Sequence, residues 1–288
     1  MTYNELYRHI ISLLKKAGLD SPAFDTLCLF ENKLGFDRHK LIMQGNTAVS
    51  EQQKEIIIKL AQKRAEGYPL QYLLGMWEFM DCKFFVGEGV LIPREDTSVV
   101  VNLCADSLKN ISSTKILDLC AGSGAISIVL SKIITDSTVT ALELSDNAIE
   151  YLLKNVQHNA CDNVNVVKGD VFNDYIRFKP ESFDAVISNP PYIIRDEIKT
   201  LQKEVQYEPV MALDGGKDGY DFYKAIIENW SRCIKPGGIL TFELGENQYD
   251  TVKLIMEKKG FTNITYALDL GNIKRGICGV KATSEITG

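Results

Sequence analysis

The sequence has no cysteine pair at C-x-x-C spacing, no apolar run near bilayer length, no block of like charge and only three histidines. Each absence removes a class of protein. The cysteines number seven, an odd set. Most of them, such as Cys28, Cys104 and Cys233, sit among apolar neighbours, which predicts reduced, buried thiols in place of a disulfide framework or a zinc site. No stretch approaches the roughly 20 apolar residues that span a bilayer, so no membrane partner is expected. Met1-Thr2-Tyr3-Asn4-Glu5 has neither the basic start nor the apolar core of a secretory signal, and the expected location is the cytoplasm. His9, His39 and His158 are scattered in polar company and read as surface residues, so no metal is expected. A net charge of −6 offers no basic face for a large nucleic-acid footprint, and no stable nucleic-acid binding is expected.

The chain has 288 residues, 45% of them hydrophobic and 24% charged. That profile is globular and long enough for one large domain or two ordinary ones. Residues 1–75 read as a small helical bundle. Leu6, Ile10, Leu13 and Leu14 share a helix face, Ser21-Pro22 opens a second helix, Asp37 begins a short third, and Ser50 with Gln53 forms a capping box. This bundle is either a substrate-recognition module or a structural cap. The stretch Gln71–Val90 mixes aromatic and apolar residues with turn residues, and Trp77, Phe79, Phe84 and Phe85 predict a linking β-hairpin over 76–92. Leu91-Ile92-Pro93-Arg94 is then a plain connector or a lip over a site.

Residues 93–288 read as a second domain, in which strand and helix patterns alternate from Lys115 onward. Strands are expected near Ile116–Leu119, Val139–Leu142, Val164–Val167, Ala185–Ile187, Ile239–Phe242, Ile264–Ala267 and Ile277–Val280. This predicts an α/β, doubly wound, mostly parallel seven-stranded sheet whose two final strands pair antiparallel.

One stretch carries chemistry. The buried strand Ala185-Val186-Ile187 runs into Asn189-Pro190-Pro191-Tyr192. The prolines stop the strand and stiffen the backbone, holding Asn189 and Tyr192 at a strand's carboxyl end, where open α/β sheets bind ligands. None of these groups titrates near pH 7, so the site is not one of acid/base chemistry. The Asn189 and Pro190 carbonyls are two adjacent acceptors, suited to the two hydrogens of a planar NH2 group, and Tyr192 offers a flat face. Holding both hydrogens aims the nitrogen at an electrophile, for which a methyl sulfonium is the natural partner. Alone, Asn-Pro-Pro equally suits a plain turn.

A second stretch narrows the choice. Asp118-Leu119-Cys120-Ala121-Gly122-Ser123-Gly124 joins the first large-domain strand to its helix, and its glycines admit close backbone approach. The third glycine position of a dinucleotide fingerprint is Ser127, so the loop does not match that motif. Asp118 would oppose a phosphate and suit a cationic amino-acid moiety. Glu143 ends the next strand, where a carboxylate holds ribose hydroxyls. Asp170 could accept from an adenine amino group, with Val171 or Phe172 against the ring. Carboxylates at successive strand ends predict S-adenosylmethionine as cofactor, leaving S-adenosylhomocysteine as product.

These motifs, with Tyr207-Glu208-Pro209 and Gly219-Tyr220-Asp221-Phe222-Tyr223, make the sequence resemble a class I methyltransferase of the HemK/PrmC family, whose members methylate the glutamine N5 of peptide chain release factors. The resemblance implies that Cys120 to Gly124, Glu143, Val171 and Asn189 line the cofactor site. It also implies that Asn189, Pro190, Pro191 and Tyr192 hold the substrate glutamine and that the partner is a release factor. Cys120 stands where many members have glycine, and Glu143 where aspartate is common. Rival readings are an N6-adenine or N2-guanine nucleic-acid methyltransferase using the same motif, and a non-catalytic adenosine-binding protein.

Overall fold

The computed structural model describes residues 1–283. The chain forms two compact units: Met1–Met76 together with Gln202–Tyr207, and Trp77–Leu201 together with the chain from Glu208 onward.

The first unit is helical: α1 (Tyr3–Lys16), α2 (Pro22–Leu34), α3 (Arg38–Gln44), α4 (Glu51–Ala65) and α5 (Leu70–Leu74). Thr2 and Ser50 close capping boxes with Glu5 and Gln53, and Asp37 caps α3. Ser21 makes no capping bond, and the fixed φ of Pro22 starts α2 without it. Leu6, Ile10, Leu14, Leu29, Phe30 and Ile57 are fully buried in one core. The bundle ends in a single turn: Leu70, Tyr72 and Leu73 of α5 are buried, and the left-handed Gly75 closes it. The later segment Gln202–Tyr207 completes this unit. Buried Arg64 pairs with Asp25 at 2.7 Å and with Glu204 at 2.6 Å, and Tyr68 meets Tyr207 edge-on.

The second unit begins within the hairpin β1 (Met76–Phe79) and β2 (Cys82–Phe85). It continues through α6 (Thr97–Leu108), β3 (Thr114–Leu119), α7 (Ala125–Ile133), β4 (Ser137–Glu143), α8 (Asp146–His158), β5 (Val164–Lys168) and β6 (Phe183–Ser188). It ends with α9 (Asp221–Ala225), β7 (Ile234–Glu243), α10 (Tyr249–Lys258), β8 (Phe261–Leu268) and β9 (Lys274–Lys281). The seven-stranded sheet has the order β5-β4-β3-β6-β7-β9-β8. β3 pairs in parallel with β4 and β6, β6 in parallel with β7, and β9 antiparallel with β7 and β8. The helix expected through Phe222 and Trp230 changes to a π turn at Ile226–Trp230, which buries Trp230 so that its ring N–H donates to the Val171 carbonyl at 2.8 Å.

Strand order reverses between β3 and β6. The loops leaving their carboxyl ends therefore diverge and open a crevice, the usual ligand position in such sheets. β6 is buried at every residue, as a central parallel strand requires.

Candidate active site

The crevice at the ends of β3, β4, β5 and β6 holds a cavity, where ligands bind in open α/β sheets. Cys120, Gly122, Glu143, Asp170, Val171, Asn189 and Pro191 line it. Asp118, Ala121, Ser123, Gly124, Pro190 and Tyr192 stand outside that wall.

The loop after β3 is shaped by backbone conformation. Cys120, Gly122 and Gly124 all have left-handed φ, at 60°, 55° and 83°, which explains why glycine suits position 120. Open space faces Gly122, whereas a Cβ on Gly124 would stand 2.3 Å from Leu152 Cδ1. Gly122 thus belongs to the ligand side and Gly124 to the packing of α7 against α8. Asp118 lies beneath the loop, fully buried, with Oδ2 accepting the Ser127 hydroxyl at 2.6 Å and Oδ1 unpartnered. Burial pushes its carboxyl up to about 7.

Glu143 reaches the cavity at the end of β4. Its Oε2 accepts the Gly122 N–H, and its Oε1 accepts those of Leu144 and Ser145, all at 2.8–2.9 Å. Asp170 accepts the Phe172 N–H at 2.9 Å and the Asn173 side-chain amide at 2.6 Å. The wall carries these carboxylates and apolar side chains such as Leu142, Val171, Phe172 and Phe222, but no Lys or Arg. Those acceptors and apolar faces suit a ligand with hydroxyls, a flat apolar ring and positive charge, and they are poorly suited to a phosphate.

After β6, Asn189 lines the cavity and donates through Nδ2 to Thr97 Oγ1 at 3.3 Å. Its carbonyl is thereby the end turned away from Thr97. The Tyr192 backbone is wedged: a Cβ on Gly215 would fall 2.6 Å from Tyr192 Cα, and one on Gly219 would fall 2.6 Å from its carbonyl oxygen. Gln248 donates to that oxygen at 3.1 Å. The Tyr192 hydroxyl donates to buried Glu243 at 3.3 Å, and burial raises its pKa. Glu208, also buried, accepts the Ile92 N–H at 2.9 Å and pairs with Arg94. This ties the Leu91 lip of the cavity to the Pro209–Ala212 lip.

Residues 5–75 match the family model of the PrmC N-terminal domain, and residues 97–208 match the methyltransferase small domain. The chain is 35% identical over 283 residues to the release factor glutamine methyltransferase of Fusobacterium nucleatum subsp. nucleatum, covering 96% of this chain and 78% of that protein. The chain belongs to the release factor glutamine methyltransferase family. The family member from Clostridium botulinum is likewise 35% identical over 267 residues, covering 92% of this chain and 94% of its own. The family's fold is shared with a methyltransferase from Pyrococcus furiosus, which superposes with a TM-score of 0.52 over 81% of this chain and 100% of that one, at 19% identity. The seven-stranded sheet is thus the class I methyltransferase fold.

Thr97 and Glu243 are buried polar groups bonded to the Asn-Pro-Pro-Tyr motif whose roles the sequence does not give. A hydroxyl at the start of α6 reads as an ordinary cap, although no side-chain cap is made there. Glu243, after the run Ile239–Phe242 at the end of β7, carries the clearer signal, because a carboxylate is rarely buried unless it is paired. Among the described residues no group of three or more His, Cys, Asp or Glu could hold a metal, and no helix is long and apolar enough to cross a membrane.

Proposed function

We propose that this protein transfers the methyl group of S-adenosylmethionine to the side-chain amide nitrogen (N5) of a glutamine in peptide chain release factors, leaving S-adenosylhomocysteine. The observation that carries the reading is Asn189, fixed by Thr97 with its carbonyl end turned away, in a cavity wall without Lys or Arg.

Glu143 would hold a ribose hydroxyl, and Asp170 with Val171 and Phe172 would take the adenine. The loop from Cys120 to Gly124 closes around the amino-acid end, with Asp118 supporting it from below. When bound, S-adenosylmethionine supplies an electrophilic methyl group on a cationic sulfonium. Asn189 Oδ1 and the Pro190 carbonyl accept the two N–H bonds of the glutamine amide and aim its nitrogen. Pro191 and Tyr192 shape the slot in which the amide plane lies. Attack by the aimed nitrogen would take the methyl group with loss of the sulfur as a neutral thioether, and the surplus proton of the methylated amide would pass to solvent. No residue has to remove a proton before attack, so the contribution of the protein is positioning and electrostatics.

Residues 1–75 contribute to choosing the protein substrate. The substrate assigns the work to the cytoplasm, which keeps thiols such as the seven free cysteines reduced. The test is transfer of labelled methyl from S-adenosylmethionine to purified release factor and to RNA. Label on a glutamine of the release factor, located by mass spectrometry, is the expected outcome. Label on adenine or guanine with none on protein would replace this reading with the nucleic-acid one.

A further inference from the structure

Helix α8 turns Ala148, Leu152 and Asn155 to the interior. That spacing is the stripe of a core-facing helix, yet its last member is an amide, and it is fully buried. A buried amide persists where its hydrogen-bonding groups are met. Asn155 Oδ1 accepts the Phe85 N–H at 2.6 Å, and Nδ2 donates to the Phe85 carbonyl at 3.2 Å and to the Ser123 carbonyl at 2.9 Å. Phe85, at the end of β2, offers its N–H and C=O side by side, which fixes the end of the amide that is oxygen. Near the end of α8, Asn159 Nδ2 donates to the Lys83 carbonyl at 2.9 Å. Residues four apart on a helix rise about 6 Å, close to the rise of residues two apart on a strand. The two amides therefore match alternate residues of β2. Asn159 serves the hairpin, whereas Asn155 reaches on to the loop after β3.

That loop needs holding. Open space faces Gly122, and Cys120, Gly122 and Gly124 all lie in the left-handed region, so packing does not fix the chain at Gly122. Hydrogen bonds do. The Gly122 N–H is tied to Glu143, which lines the cavity, and the next carbonyl, that of Ser123, is tied to Asn155. Leu152, on the same face of α8, occupies the space beside Gly124. Gly89 and Leu91, shortly after Phe85 in the chain, also line the cavity. One buried amide thus joins two parts of the wall. The transfer described above uses neither Asn155 nor the hairpin.

We propose that Asn155 is a positioning residue for the cofactor. By bonding the Ser123 carbonyl and the Phe85 backbone with one amide, it keeps the loop from Cys120 to Gly124 in the shape that receives the amino-acid end of S-adenosylmethionine. The inference rests on the cofactor placement given above. The adenine and ribose fall to Asp170 and Glu143, and Glu143 keeps its bonds from Leu144 and Ser145 whatever the loop does. Loss of the Asn155 amide therefore weakens one end of the ligand and spares the other.

Asn155→Asp keeps the size and the acceptor for the Phe85 N–H but sets an oxygen against two carbonyls. Asn155→Ala removes the amide without burying a charge and carries the test if the Asp variant does not fold, as urea titration reads. By calorimetry, S-adenosylmethionine affinity falls about tenfold or more in both, because a buried acceptor loses its partner. Affinity for 5′-methylthioadenosine, which has the adenine, ribose and sulfur but no amino acid, holds within about twofold. Asn159→Ala, which loosens the hairpin alone, leaves both affinities within about twofold of the parent. Equal loss for the two ligands would make Asn155 a general support of the fold and overturn the inference, as would parental S-adenosylmethionine affinity in a folded Asn155 variant. A readout without ligand is amide exchange in NMR: Gly122 and Gly124 exchange about tenfold faster or more in the Asn155 variants, while Ile116 and Leu117 of β3 keep parental rates. A parent that binds neither ligand defeats the proposed cofactor, and parental exchange at Gly122 and Gly124 in the variants overturns the dependence of the loop on Asn155 in either case.

Discussion

The Gly122 N–H donates to Glu143 Oε2 at 2.8 Å, which ties the loop after β3 to the end of β4. Glu143 accepts two further N–H bonds through Oε1, from Leu144 and Ser145. A carboxylate has about four lone-pair sites, which leaves one, on Oε2, for a ligand hydroxyl. Glu143→Gln puts an NH2 among these donors and removes the charge. We expect calorimetry to show S-adenosylmethionine affinity lower by about 1.5–3 kcal/mol, the value of a hydrogen bond to a charged group. Unchanged affinity would take Glu143 out of the ribose site.

Asn189→Ala should cost rate far more than cofactor affinity, on the order of 100-fold in single-turnover methylation, because a positioning bond at the reacting atom is lost. Asn189→Asp separates mechanisms. It keeps an acceptor and could take a proton, so a general-base mechanism expects undiminished rate. Positioning by a neutral amide expects a loss, since Thr97 Oγ1 is left without its N–H and a charge is added to a closed site. An Asn189→Asp enzyme as fast as the parent would sink the neutral-amide account.

Asp118 gives a stability signature. Its carboxyl is raised by burial from 3.8 to about 7 in the folded state. Between those values the folded protein binds more protons than the unfolded chain, so this group's contribution to stability falls as pH rises through that window and is level above it. Asp118→Asn removes the contribution. In urea titrations the variant should gain on the parent between pH 5 and pH 8, by roughly a few kcal/mol at most. A constant difference between the two proteins across that range would show that Asp118 is not held protonated.

Cys120 sits at φ 60° without being glycine. Cys120→Gly relieves the left-handed conformation but loosens the unfolded chain, and these effects, each about 1 kcal/mol, nearly cancel. Cys120→Val places a β-branched residue there and should cost more, about 1–3 kcal/mol. Denaturation midpoints in the order Gly near parent, then Val well below, are expected. A Val variant as stable as the parent would remove strain as the reason glycine suits the position.

The parts legible in the sequence were those written in neighbouring residues. The capping box at Ser50 and Gln53, the alternation of strands and helices, and the strand that stops at Pro190 are local patterns, and each has a local cause. The partnership of Asn189 with Thr97 joins residues 92 positions apart, and no periodicity encodes it. Gly215, Gly219 and Gly245 all leave room for Tyr192, which no residue beside them in the sequence reveals. The bounds of α5 were not legible because five residues are too few to show a helical period, and burial of Leu70 and Leu73 on the bundle core holds it. Asp118 read as a ligand-facing acid because sequence gives its place at a strand end but not its depth.

The return of Gln202–Tyr207 to the helical unit has a consequence for how the chain is made. Synthesis runs from the N-terminus, and domains commonly fold as they emerge. Here the first unit is not whole when residue 76 leaves the ribosome. Arg64 has Asp25 at once, but Glu204 arrives only after β3 to β6 have been translated. The guanidinium waits half-paired while most of the parallel sheet is threaded, so the first domain to begin folding cannot finish until the second is well under way.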